Sequence, residues 1–252
     1  MREDAVTVVG DTFDVFLANP GTMAASDLLA HLRAEEPVPA TITMGQGITA
    51  EQADEIRHLL AGTDRLAAAA PAPADRRLTH KHDRRNALVG PPERVADDHF
   101  TVELIVDGRT ETLSDHITGQ HLPAITLTEA ARQAWTAVTE EFLLGEIDEP
   151  HRFVVVSFRS AFDNYVFPLA ATLHYRLLTH DRTGLGHLFR CRVEVEQNGG
   201  VAAAVEAEYR VLPETISAKQ ESLAARRALT THLSAAREAS GASTPQPAPV
   251  AG

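Results

Sequence analysis

The sequence predicts an α+β fold in which one long helix is wrapped by a curled antiparallel sheet, with a small β-α-β-α unit placed before it. Two observations carry this expectation. Leu127, Ala131, Ala134, Trp135 and Val138 recur at intervals of three and four, which gives an apolar face to a helix beginning near Ile125. Four strand-like segments then follow with no helix between them. Strands joined without crossover helices pair antiparallel, so a parallel doubly wound sheet is excluded.

The elements follow in order. The opening AVTVVGD has the valine density of a strand, and NPGTMAASDLLAHL supplies a break and then a helical stripe from near Ser26. A second strand, Ala40 to Met44, leads through Gly45-Gln46-Gly47 and Ile48 into TAEQADEIRHLL. There Thr49 and Gln52 have the spacing of a capping box, and Ile56, Leu59 and Leu60 share one helical face. Residues 1–66 are assigned to this unit. An α/β unit binds nucleotide when a glycine-rich turn presents free N–H groups at a helix start. Here Gly10 stands alone and GQG lacks both the G-x-G-x-x-G spacing and a P-loop lysine, so a packing or dimerisation role is expected instead.

AAAAPAPADRR separates this unit from the rest, because alternating proline and alanine resist both helix and sheet. Residues 67–77 are read as a linker and 78–213 as the main domain. Within it His99 to Val106 is a strand, and DGRTETL is a turn with a short return strand, Asp107-Gly108 being a hairpin signal. The long helix, ITLTEAARQAWTAVTEEFLL, spans about 18 residues on its periodicity. The strands after it are RFVVVSFRS, ATLHYRLLTH, GHLFRCRVEVEQ and VAAAVEAEYRVL. In the third, Phe189, Cys191, Val193 and Val195 alternate with charged residues, and Asn198-Gly199-Gly200 turns the chain into the fourth. Residues 214–239 form a polar surface helix, and 240–252 are compositionally disordered.

Of the 252 residues, 44% are hydrophobic and 23% charged, as in ordinary globular proteins. The single cysteine, Cys191, cannot form an internal disulfide or a thiolate zinc knuckle, and its alternation marks it as a strand residue. MREDAVTVVGD has acids where a secretory signal carries basic charge, and no segment reaches the roughly 20 apolar residues of a membrane helix. A cytoplasmic protein with no membrane association is expected. The formal charge of -12 disfavours nucleic acid. Two basic groupings, Arg76-Arg77 with Lys81 to Arg85 and Arg226-Arg227, read as solvated faces, although the first can touch a phosphate-bearing carrier or substrate.

The chemistry-bearing residues gather around the start of the long helix. Glu129, Arg132 and Gln133, at spacings of three and four, share roughly one helical face. Arg132 can fork onto Glu129, or present charge to a carbonyl or phosphate oxygen if the pair faces a dry pocket. Facing water, the two are an ordinary surface pair. In DHITGQHLP, Gly119 and Pro123 constrain a turn that can project His116 or His121 beyond the helix start as a proton carrier. No third ligand and no HExxH arrangement accompanies the histidines, so no metal is expected, and no cofactor.

SDHITGQHLPAITLTEAARQAW, with its DH-x-x-G-Q-H-x-P…EAARQ pattern, resembles the hotdog repeat of the A-factor biosynthesis, or butyrolactone synthase, family. LTHKHDRRNALV upstream is similar to that family's basic lead-in with Asn86 and Leu88, and FDNYVFPLAATL downstream, with Asn164, to its later strand region. The resemblance covers about Leu78 to Leu212 and implies a hotdog fold. It also implies an acyl transferase that joins a β-ketoacyl group from an acyl carrier protein, or from acyl-CoA, to a three-carbon phosphate acceptor. Glu129 and Arg132 match the family's functional glutamate and arginine and are expected to be catalytic, and Gln133, Gly119, Pro123 and Asn164 are expected to bind substrate.

The same turn and helix also resemble a compressed hotdog dehydratase pattern, with His116 as the histidine and Glu129 as the acid. Ala124 stands there where that pattern has glycine. Non-catalytic binding of a carrier protein or lipid-like ligand is a third expectation. The family commonly has two hotdog repeats per chain. This sequence shows one, which implies a homodimer that restores the missing half.

Overall fold

The structure, a computed structural model, describes residues 4–68, 72–114, 117–145 and 149–241. The N-terminal unit is built on a parallel three-stranded sheet ordered β2-β1-β3, from β1 (Ala5–Val9), β2 (Thr22–Ala24) and β3 (Thr41–Met44). The short β2 lies in a segment whose turn residues mask it in the sequence. Helices α1 (Ala25–Arg33) and α2 (Ala50–Leu59) cover the sheet, burying Leu28, Leu29 and Ile56 against Val6, Val8 and Ile42. The capping box is present: Thr49 Oγ1 accepts from Gln52 N at 3.2 Å, and Gln52 Oε1 accepts from Thr49 N at 3.0 Å.

Gly45-Gln46-Gly47 docks this unit onto the larger one. Gln46 is buried; its side-chain oxygen accepts from Val106 N at 2.8 Å and its amide donates to Leu104 O at 3.0 Å. Gly47 N donates to Val106 O at 2.7 Å, and a Cβ on Gly10 would lie 1.7 Å from Gly47 O. That closes two turns of the N-terminal unit on each other; across to the larger unit, a Cβ on Gly108 would lie 2.3 Å from Gly47 O. Val9, Phe13 and Phe16 consequently enter the main core rather than the core of their own unit.

The larger unit is a six-stranded sheet ordered β4-β5-β7-β8-β9-β6, antiparallel throughout. Its strands are β4 (Glu93–Arg94), β5 (His99–Glu103), β6 (His151–Phe162), β7 (Thr172–Thr183), β8 (Gly186–Gln197) and β9 (Gly200–Pro213). A short helix, α3 (Arg76–Thr79), precedes them. The return strand expected after Asp107-Gly108 is absent: the chain forms α4 (Glu111–Ser114) instead. Asp107 causes this, its carboxylate accepting from Arg109 N at 2.8 Å and Ala50 N at 3.0 Å while its carbonyl accepts from Thr110 N. The free side of β5 is taken by β7.

The long helix α5 (Ala124–Val138) continues into a π-helical turn, Thr139–Leu143, and lies across the sheet. Leu127, Ala131, Ala134, Trp135 and Val138 are all buried, and Trp135 stacks on Tyr209 at 5.7 Å. In β8 the alternation resolves as expected, with Phe189, Cys191, Val193 and Val195 inward and fully buried. This is a hotdog arrangement. The last helix, α6 (Glu214–Gly241), packs through its first turns and is exposed from Glu221 onward. Among the described residues, strand β6 has β9 on one side and no strand on the other, and exposes Val155, Val156, Phe158 and Phe162.

Candidate functional site

Glu129 is the hub of a polar cluster on the face of α5 turned away from the sheet. Arg132 donates to it bidentately, Nε to Oε2 at 2.8 Å and Nη2 to Oε1 at 2.9 Å. Gln133 Nε2 donates to the same Oε1 at 3.0 Å, and Lys81 Nζ lies 2.6 Å from it. Glu129 and Arg132 are part-buried, with side chains 19% and 28% exposed, so the pair is neither a solvated surface bridge nor a sealed core pair. Burial pushes the Glu129 carboxyl up, but the hydrogen bonds and charge of Arg132, with Lys81 and Gln133, outweigh it and hold the group at about 2.

The cluster is fixed in place by the segment that precedes β4. Gln133, fully buried, accepts from Leu88 N at 2.8 Å and donates to Asn86 O at 2.8 Å, while Arg132 Nη2 donates to Thr79 O at 3.3 Å. Asn86 Oδ1 in turn accepts from Thr110 Oγ1 and Glu111 N, both at 3.0 Å. The basic lead-in is therefore a strap over α5, held by the EAARQ side chains. Lys81 is the member that reasoning from the helix alone leaves out; it stands in the quoted lead-in, but nothing in the spacing places it on Glu129.

The other expected site residues form a second group at the N-terminal end of α5. Pro123 is the N-cap residue and is buried. His121 Nδ1 is 3.2 Å from Thr118 Oγ1, and its ring meets Tyr165 at 4.6 Å. Leu122 N donates to Val166 O at 2.8 Å, which brings the HITGQHLP turn beside the FDNYVFP turn and sets Asn164, exposed, next to Tyr165. Gly119, at φ +73°, is buried against Asp14 and Val15 and accepts from Phe16 N through its carbonyl. His116 lies outside the described residues. Among the described residues no hydrogen bond or ion pair joins His121 to Glu129, and Glu129 lies six positions along the helix from Pro123, about 9 Å along its axis.

A third cluster went unforeseen. Glu140, in the π-helical turn, accepts from His80 Nε2 at 2.7 Å and His151 Nε2 at 3.0 Å. Burial raises its carboxyl, and the two histidines lower it further, leaving it below the ordinary range. The three residues are far apart in sequence and no local pattern announces them.

A central helix wrapped by an antiparallel sheet, carrying an acid-arginine-glutamine face strapped by a basic segment, defines a hotdog-type protein. The chain belongs to the A-factor biosynthesis hotdog domain (AfsA) family, whose profile matches residues 63–213. No curated protein matches the chain. Solved structures resemble parts of it. One is the dehydratase heterocomplex ApeI:P of Xenorhabdus doucetiae, with 18% identity and TM-score 0.44 over 58% of this chain and 95% of that one. Others are a mutant thioesterase of Pseudomonas aeruginosa (14%, TM-score 0.38, 54% and 99%) and AziG of S. sahachiroi (17%, TM-score 0.36, 48% and 90%). Among the described residues no helix is long and apolar enough to cross a membrane.

Proposed function

We propose that the protein is an acyl-thioester transferase or condensing enzyme of secondary metabolism, acting as a homodimer on an acyl chain carried by acyl carrier protein or coenzyme A. The observation that carries this reading is the pairing of Arg132 and Lys81 on one ionised carboxylate, Glu129, at the part-buried face of the central helix. Negative charge develops on the thioester oxygen when an acceptor attacks, and preorganised cations stabilise it. Glu129 serves to hold those cations in place.

In the transfer step the acceptor hydroxyl oxygen bonds to the thioester carbonyl carbon while a base removes its proton. The carbon–sulfur bond then breaks and the thiolate leaves, taking up a proton as free thiol, so the products are an ester and the unloaded carrier. His121 or His116 is assigned as that base. A carboxyl held at about 2 is ionised at neutral pH and has no proton to give a departing hydroxyl, which weighs against the dehydratase reading.

The homodimer reading rests on β6. It is a long edge strand with unpaired backbone groups, and its exposed Val155, Val156, Phe158 and Phe162 outnumber the one exposed charge among them, Arg159. A second copy adding its own β6 would continue the sheet with twofold symmetry.

Incubation with a panel of acyl carriers, acyl-CoAs and alcohol acceptors, followed by mass analysis, tests the assignment. Ester formation is expected, with Arg132→Gln lowering kcat/KM by about 100-fold. Water loss from a β-hydroxyacyl thioester with no transfer to any acceptor would overturn it.

A further inference from the structure

We infer that the seam between the N-terminal unit and the hotdog sheet is a second ligand site, separate from the Glu129 face, and that it takes an alkyl or acyl chain bearing a phosphate head. Two cavities adjoin along this seam at Ile48, Ala53 and Ile105, which line both. The first, about 330 Å³, is walled mainly by apolar groups, among them Met44, Leu104, Val106 and Ala171. The second, about 290 Å³, adds Arg57, Arg84, Arg85 and Arg109 to the shared apolar wall. Beyond it, Arg84 and Pro73 also line an open basin with Arg76, Arg77 and His82.

The arginines inside the second cavity are balanced by acids, and the cationic surplus lies at its rim, where Arg84 faces the basin that Arg76 also lines. The acids at the mouth are already engaged, Asp54 with Arg57, Glu51 and Asp107 with Arg109, and Asp83 with Arg85. Arg84 has no acidic partner among the described residues, and the Nε of Arg57 is buried without a hydrogen-bond partner. In a chain of formal charge -12, most of the surface repels anions, so a group of arginines around an unpaired one is a local exception. Guanidinium forks match phosphate geometry, and several of them suit a dianion better than a carboxylate. Glu103 and Glu196 line the apolar cavity, where they repel an anionic head and fix the chain's direction, tail in the slot and phosphate at Arg84. Together the two cavities are of the size that holds a small amphiphile.

Isothermal titration of the full chain with decyl phosphate, kept below its micelle concentration, should show one site. Decyltrimethylammonium and a neutral decyl glycoside should bind at least tenfold more weakly. Arg84→Gln removes an unpaired exposed cation and should weaken decyl phosphate about tenfold. Ala53→Phe fills the junction of the two cavities from the α2 side and should abolish binding; melting curves of both variants establish that they fold. No binding of decyl phosphate to the folded wild type, equal binding of the three amphiphiles, or binding indifferent to both substitutions would overturn the site. Acyl-transfer assays on the same variants read the Glu129 face separately, so failure of either proposal leaves the other standing.

Discussion

Lys81 Nζ sits 2.6 Å from the Glu129 carboxylate, so a residue of the basic lead-in completes an ion cluster begun by Arg132 one turn along the helix. The contact spans the chain from α3 to α5 and makes the strap part of the candidate site. Substitution of Lys81 should thus be felt in the cluster, and the reverse.

The clearest case is Gln133. It is fully buried and satisfies Leu88 N and Asn86 O at once. Gln133→Ala leaves both groups unsatisfied and opens a void, and should cost about 3 kcal/mol in urea unfolding. A loss below about 1 kcal/mol would mean that the strap is held by other contacts.

The Glu129 cluster also sets a pH dependence. Its carboxyl is held at about 2 against an ordinary 4.5, so its contribution is complete above pH 4.5 and lost as pH falls toward 2. Allowing for solvent screening of a part-exposed cluster, the contribution is about 1–2 kcal/mol. The stability difference between wild type and Glu129→Gln, measured by denaturant titration, should be constant from pH 7 to 5 and shrink from pH 4.5 downward. A difference that grows on acidification would contradict the assignment.

Strand β6 gives an oligomer prediction. Phe158→Lys places a charge on its exposed apolar stripe and should convert a dimer to a monomer in light scattering, with the melting temperature of the monomer fold otherwise retained. A wild type that is monomeric at tens of micromolar would remove the homodimer reading.

Two glycines of the N-terminal unit separate steric from conformational cost. Gly10→Ala would set its Cβ 1.7 Å from Gly47 O, a backbone atom that cannot step aside, and should lose more than about 3 kcal/mol or fail to fold. Gly62, at φ +78° with nothing within 4 Å, should lose only about 1 kcal/mol on the same change. Equal effects in thermal denaturation would show that the turn after β1 is not packed against Gly47.

Hotdog architecture was legible because both of its periodicities are local. Leu127, Ala131 and Trp135 mark the buried stripe of α5 by recurrence within one helix, and Phe189, Cys191, Val193 and Val195 mark the inward face of β8 by alternation. The capping box at Thr49 is local in the same sense. The turn after Asp107 misled because Asp-Gly signals a reversal without saying what the chain does next; that was decided by Asp107 reaching Ala50 N in the other unit.

What the sequence determined by itself was a helix face bearing Glu129, Arg132 and Gln133, and the succession of strands along the chain after it, since each depends on spacings within a few residues. Only the tertiary structure decided that Lys81 joins that face, that His80, Glu140 and His151 meet, and that Gln46 fastens the N-terminal unit to the sheet. Such contacts are between residues tens of positions apart, and which of them form depends on how packed layers bring backbones into register, a property carried by no single segment.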